Sequence, residues 1–174
     1  MVYPLWSFYP RNIEIPKWVN EFVDVVGDNQ KSLQPKDGTL KSDMALAVLQ
    51  PGLTNIGYQV EGEVVGKIKR PVLFGDEGTP RITYEVDAFH PEHKVLVEIE
   101  AGRGWQGNAV FRDIVRTSLI ADADFLVIGM LQQYTFGKNK TVNRSYDAAR
   151  SLFDAIYASG RLGLPFKGVL LFGY

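Results

Sequence analysis

Four acidic residues lie in two short segments that otherwise have the composition of β-strands. The segment YEVDAF contains Glu85 and Asp87, and the segment VLVEIE contains Glu98 and Glu100. In a strand, side chains two positions apart point to the same side. The two glutamates of VLVEIE therefore share one face, and the apolar residues between them lie on the other.

The four residues HPEH that separate the two segments predict a β-hairpin. In the register that pairs Phe89 with Lys94, all four carboxylates lie on one face of this hairpin. A slip of one residue would turn one strand's acids to the opposite face. His90 and His93 flank the turn without the spacing of a metal site, although His90 could act as a nearby base.

Carboxylates that face one another across a sheet repel, so their charge must be offset. Solvent, basic side chains, protonation or a bound cation can do this. A hard divalent cation such as Mg²⁺ or Mn²⁺ suits a set of ligands that are all oxygens. A solvent-exposed hairpin with one polar face explains the same pattern without a metal, and the pattern alone leaves both interpretations open.

Arginines follow the acidic segments in the stretch AGRGWQGNAVFRDIVR. Hydrophobic periodicity predicts a helix over residues 108–121, and Arg103 lies in the turn before it. The predicted polar face of this helix consists of Arg112, Asp113, Arg116 and Thr117. Guanidinium groups beside acid-bound metal suit phosphodiester chemistry, because they bind phosphate oxygens. Ion pairs with a neighbouring aspartate on a solvated face are the alternative. The predicted apolar face of the helix consists of Val110, Phe111, Ile114, Val115 and Ser118.

The order of helical and strand patterns predicts an α/β fold with a central mixed sheet flanked by helices. Residues 1–15 are expected to form an extended arm, and Pro51 with Gly52 is expected to interrupt the helix that begins at Ser42. The other predicted elements are a helix over 16–28, strands within 58–74, the hairpin strands 82–89 and 94–100, a strand over 125–130, a helix over 145–160 and a strand over 167–174.

Length and composition indicate one globular domain over residues 1–174. With 19 basic and 20 acidic residues and a net charge of −1, the whole molecule does not attract polyanions strongly. Cysteine is absent, which excludes disulfides, thiolate catalysis and Cys-ligated zinc. No segment has the pattern of a signal peptide or a transmembrane helix, so we expect a cytoplasmic protein without a membrane partner.

The pattern EVDAF…VLVEIEAGR resembles the PD-(D/E)xK nuclease superfamily. Its restriction-endonuclease-like fold consists of a helix, a β-hairpin that bears the acids, a helix and a further strand. The family motif is an Asp on one strand and Glu/Asp-x-Lys on the next, positions that Asp87, Glu98 and Glu100 match. The resemblance covers residues 42–131, the expected catalytic core. Glu100 replaces the lysine that helps to activate water, as in the restriction enzymes of this family that carry Glu-x-Glu.

The resemblance implies a Mg²⁺- or Mn²⁺-dependent endonuclease that hydrolyses DNA, with restriction as one role that fits. Because both strands of a duplex must be cut, it also implies a symmetric homodimer. Two alternatives remain: a metal-independent hydrolase that uses a carboxylate pair, and a non-catalytic, nuclease-derived module for nucleic-acid binding or assembly. The implied site residues are Asp87, Glu98 and Glu100 as metal ligands and catalytic acids, Glu61 as an additional acid, and Arg103, Arg112 and Arg116 as phosphate-binding residues.

Overall fold

The computed structural model describes residues 3–34, 40–101, 105, 107–136 and 141–174. Five α-helices lie in these residues, and two of them, the first and the last, begin and end within one residue of their predicted limits. The helices are α1 (Lys17–Asp28), α2 (Gln30–Leu33), α3 (Ser42–Asn55), α4 (Ala109–Ser118) and α5 (Ser145–Ser159).

Helix α3 continues through Pro51 to Asn55, so the predicted interruption at Pro51 is wrong. A proline inside a helix removes one hydrogen bond and costs about 3 kcal/mol. Helix α3 buries Leu46, Leu49 and Leu53 in the core. Burial of each leucine contributes about 1.5 to 3 kcal/mol, which outweighs the cost of the proline.

Six strands form the main sheet in the order β1-β10-β7-β6-β5-β2. Strands β6, β7 and β10 are parallel, and the other pairings are antiparallel, so the expected mixed sheet is confirmed. Two separate hairpins pair β3 with β4 and β8 with β9. In chain order the strands are β1 (Leu5–Tyr9), β2 (Gln59–Val60), β3 (Ile68–Phe74), β4 (Pro80–Val86), β5 (Ala88–His90), β6 (Val95–Glu100), β7 (Phe125–Met130), β8 (Tyr134–Phe136), β9 (Thr141–Asn143) and β10 (Gly168–Gly173).

Helices cover both faces of the main sheet. Side chains of α1 and α3 pack on one face, with Phe22 and Leu49 fully buried there, and α4 and α5 pack on the other, where Val110 and Phe153 are fully buried. Strands β7 and β10 are apolar along nearly their whole length, as expected for parallel strands that are covered on both faces. The segment predicted as an extended arm contributes β1, which lies at the edge of the sheet beside β10.

None of the helices in the described part of the chain combines the length and the apolar character needed to cross a lipid bilayer.

The close packing of β7 against β10 leaves no room for a side chain at Gly129. A methyl group at this position would lie 2.5 Å from Cζ of Phe172, which is fully buried. We therefore expect Gly129→Ala to lower the free energy of unfolding by about 1 to 3 kcal/mol, as other overpacked cores do. Gly163→Ala is the matched control, since no atom lies within 4 Å of a methyl group there. Urea unfolding of both variants tests this, and equal stabilities would contradict it.

Candidate functional site

Asp87, Glu98 and Glu100 lie on the same face of the main sheet, the face that α4 covers. Strands β5 and β6 pair with Phe89 opposite Leu96, two residues away from the predicted register. A shift of two residues leaves every side chain on its predicted face. The backbone N–H of Asp87 donates to the carbonyl of Val97 at 3.2 Å, which brings Asp87 level with Glu98.

Residues 82–89 do not form the predicted continuous strand, because the chain bends at Asp87. The side chain of Asp87, in place of a backbone carbonyl, accepts a hydrogen bond from the neighbouring strand. Oδ2 of Asp87 accepts a hydrogen bond of 2.7 Å from the backbone N–H of Ile99. Residues before the bend leave the main sheet and pair with β3 instead. Burial raises the pKa of Asp87 to about 6, while the hydrogen bond from Ile99 acts in the opposite direction.

Glu98 is the most deeply buried of the predicted acids, with 7% of its surface exposed. Its Oε1 atom is buried and has no hydrogen-bond partner. Burial, followed by the negative charges of Asp87 and Asp113, raises the pKa of Glu98 to about 9. Burial also raises the pKa of Glu100 to about 8, followed by the effect of the neighbouring Asp113 carboxyl group. At neutral pH both glutamates therefore tend to retain a proton.

Asp113 on α4 is a fourth acid of this cluster, which the sequence interpretation did not include. It is 0% exposed and its Oδ2 atom has no partner. The buried face of α4 contains Asp113 and Thr117 beside the apolar Val110 and Ile114, whereas Phe111 and Val115 are exposed. The predicted placement of Phe111 and Val115 on the buried face is thus wrong, since the helix is rotated toward the acids of β6. The i, i+3, i+4, i+7 spacing of the four buried residues was the available signal.

Arg112 and Arg116 bring positive charge to this cluster. Nε of Arg112 donates to Oδ1 of Asp113 and its Nη2 donates to Oε1 of Glu100, both at 3.1 Å. The Arg112 side chain is nevertheless 58% exposed. Nη1 of Arg116 lies 3.9 Å from Oδ1 of Asp113, and its Nη2 donates to the backbone carbonyl of Glu85 at 2.9 Å. Arg103, the third predicted phosphate-binding residue, lies outside the described residues.

Glu61 follows β2 and reaches the cluster from the edge of the sheet. Its backbone N–H donates to the carbonyl of Asp87 at 2.9 Å. Its carboxylate is paired with Lys67, whose Nζ lies 3.0 and 2.9 Å from the two oxygens. The charge of Glu61 contributes to raising the pKa of Asp87, and that of Lys67 to lowering it. Glu61 is therefore a neighbour of Asp87 whose carboxylate already has a cationic partner.

Two residues considered from the sequence do not join the cluster. Glu85 is exposed on β4, opposite Lys69, because the chain bends away from the main sheet after it. His90 lies near the other end of β5, in edge-to-face contact with Tyr58. Its Nδ1 accepts from the backbone N–H of His93 at 3.2 Å, so Nε2 is the donor to the carbonyl of Ile56 at 3.0 Å. Both ring nitrogens are thus in use, and burial lowers the pKa of His90.

The donor set suits a hard divalent cation in its chemistry. Full ionisation of the cluster and of its neighbour Glu61 would leave two uncompensated negative charges, because five carboxyl groups face three cationic side chains. The carboxyl groups are those of Asp87, Glu98, Glu100, Asp113 and Glu61, and the cationic side chains are those of Arg112, Arg116 and Lys67. Among the described residues, no group of three or more Asp, Glu and His side chains is arranged to hold one metal ion. Mg²⁺ is commonly held by only one or two carboxylates, with water completing its shell. The unpartnered oxygens of Glu98 and Asp113 suit such a site.

Fold and site together define a class: a mixed α/β protein with a buried carboxylate cluster at one sheet face and arginines between that cluster and solvent. No protein-family model matches the chain, and no curated protein is significantly similar to it.

Proposed function

We propose that this protein is a metal-dependent endonuclease of restriction-endonuclease-like fold that hydrolyses DNA phosphodiester bonds with Mg²⁺ or Mn²⁺. One observation carries the proposal. Glu98 and Asp113 are buried carboxylates with unpartnered oxygens, and Arg112 beside them faces solvent. Native proteins leave few buried polar atoms unsatisfied, and a bound ion or water molecule is one way in which such an atom gains a partner.

The order of elements supports the fold part of the proposal. Helix α3, the antiparallel strands β5 and β6, helix α4 and strand β7 occur in the order of the PD-(D/E)xK core, with β2, β3 and β4 inserted between α3 and β5. Asp87 lies directly before β5 and is level with Glu98 on the adjacent strand β6. The mixed sheet between two layers of helices does not depend on membership of this family.

In this proposal Asp87 and Glu98 hold the cation, with Glu100 beside them. A divalent cation supplies Lewis-acid polarisation of a phosphate oxygen and a bound water of lowered pKa. Arg112 and Arg116 bind non-bridging phosphate oxygens, for which their forked donors are suited. Once ionised, Glu100 would accept the proton of the attacking water at its carboxylate, and its raised pKa makes it a stronger base than an exposed glutamate.

The proposal includes duplex DNA as substrate, a symmetric homodimer and a cytoplasmic location. Two copies of the site would cut the two strands. Phe111, Val115 and Leu119 form an exposed apolar stripe at i, i+4 spacing on and just beyond α4, which is a surface that such a dimer could bury. Sedimentation equilibrium measures the oligomeric state directly.

A cleavage assay tests the proposed activity. Plasmid DNA, linear duplex, single-stranded DNA and RNA are incubated with the purified protein in Mg²⁺, Mn²⁺ or EDTA. We expect cleavage of DNA with either cation and none in EDTA. Hydrolysis that persists in EDTA would instead favour the metal-independent carboxylate-pair hydrolase. Absence of cleavage, together with a melting temperature that neither cation changes, would favour the non-catalytic module.

A further inference from the structure

We propose that Asp113 of α4 is a ligand of the cation site together with Glu98, and that Arg112 is an exchangeable counter-ion of Asp113 that a bound cation displaces. The proposal rests on the proposed metal dependence of the enzyme. It adds a ligand from α4 to those of the hairpin motif. It also gives Arg112 two successive partners, the carboxylate of Asp113 and then a phosphate oxygen.

The burial of Asp113 needs an explanation beyond packing. Its Oδ1 receives Nε of Arg112 at 3.1 Å and lies 3.9 Å from Nη1 of Arg116. Its Oδ2 has no partner, although the residue is 0% exposed. An unsatisfied buried oxygen costs free energy that a hydrophobic residue at this position would avoid. A ligand that binds at Oδ2 would remove this cost.

Glu98 presents a second oxygen of the same kind from β6. Its Oε1 is buried without a partner, and the residue is only 7% exposed. Arg112 joins Asp113 to Glu100 through two hydrogen bonds of 3.1 Å, and Glu98 lies two residues before Glu100 on the same face of β6. Two carboxylates supplied by different elements are a common protein contribution to a Mg²⁺ or Mn²⁺ shell, which water and substrate phosphate complete.

Arg112 has the contacts expected of a counter-ion for the carboxylates of this cluster. Its guanidinium donates to Asp113 and Glu100 simultaneously, both at 3.1 Å. The side chain is 58% exposed, so it can turn outward without disturbing the core. When a cation binds Asp113, that carboxylate shares its charge with the cation, so Arg112 is held less tightly and becomes free to bind a phosphate oxygen. Arg112 and the cation therefore compete for one carboxylate, that of Asp113.

Isothermal titration with Mn²⁺ tests both parts of this inference on the full chain. We expect Asp113→Asn to weaken Mn²⁺ binding by at least about tenfold, and Arg112→Gln to tighten it several-fold. Asp122→Asn is the matched control, because Asp122 is an aspartate of the same region that pairs with Arg70. This control should bind Mn²⁺ as the wild type does. Circular dichroism and melting in EDTA establish that each variant is folded.

The outcomes separate this inference from the function on which it rests. If the wild type binds Mn²⁺ and Asp113→Asn binds it equally well, Asp113 is not a ligand, while the proposed nuclease is unaffected. If Asp113→Asn does not fold, the Mn²⁺ affinity of Arg112→Gln is the deciding measurement, because Arg112 lies at the surface. Unchanged or weaker Mn²⁺ binding by Arg112→Gln overturns the counter-ion role. A wild type that binds no Mn²⁺ would remove the basis of the proposed function itself.

Discussion

Glu98→Gln should lower the rate of Mg²⁺-dependent DNA cleavage by about 10³-fold or more. The substitution preserves the size of the side chain and removes the negative charge from the most deeply buried of the predicted acids. Loss of several kcal/mol of charge stabilisation corresponds to this change in rate, since each 1.36 kcal/mol is a factor of about ten. Initial cleavage rates at saturating Mg²⁺ provide the measurement.

Glu85→Gln is the matched control for this experiment. Glu85 belongs to the same acidic stretch of sequence, but its side chain is exposed on β4, and only its backbone carbonyl contacts Arg116. We expect this variant to cleave DNA within about twofold of the wild type, as surface substitutions are usually nearly neutral. A similar loss in both variants would show that net charge, and not the buried cluster, governs activity. An active Glu98→Gln enzyme would refute the assigned role of Glu98.

Without divalent cations, the protein should lose stability as the pH rises from about 4 to about 9, the range between the pKa of such carboxyl groups in the unfolded chain and the pKa of Glu98 in the folded protein. Asp87, whose pKa in the folded protein is about 6, contributes only in the lower part of this range. In the unfolded chain these carboxyl groups have pKa values near 4. Because the native state has the higher pKa values, it binds more protons than the unfolded chain in this range. The stabilisation is fully present below the unfolded pKa and is lost as the groups ionise in the folded protein.

Thermal melts of the wild type and Glu98→Gln across this range, in EDTA, measure the effect. We expect the wild type to lose at least about 3 °C more than the variant, which corresponds to about 1 kcal/mol for a chain of this size. His90 has a lowered pKa and destabilises the protein toward acid, but both proteins share this contribution. Mn²⁺ should reduce the loss, because it binds the ionised carboxylates. Parallel pH profiles in EDTA would contradict the prediction.

Patterns of alternating and periodic residues determined most of the elements and the faces of the acids. The helices 17–28 and 145–159 and the strands 125–130 and 168–173 agree closely with their predicted limits. The alternation in VLVEIE placed Glu98 and Glu100 on one face, whatever partner β6 has. The register was predicted incorrectly by two residues, yet an even shift preserves the face on which each carboxylate lies.

Tertiary contacts decided three features that no local pattern fixes. The bend at Asp87 removes Glu85 from the cluster, because the Asp87 side chain binds the N–H of Ile99 across the sheet. Packing in the core keeps α3 helical through Pro51. Interactions with Arg112 and Arg116 permit α4 to bury Asp113 instead of exposing it.

The rotation of α4 shows why sequence alone was insufficient. A helix pattern that contains both Phe111 and Asp113 is compatible with two buried faces, and hydrophobicity alone favours the face with Phe111. The free energy of burying the other face, which carries Asp113, depends on charged residues that are distant in the sequence, on β6 and around Asp87. Alternation along the strands therefore determined which acids face α4. Only the folded chain decided that a fourth acid from α4 joins them, because the energy of a buried carboxylate depends on neighbours that the fold brings together.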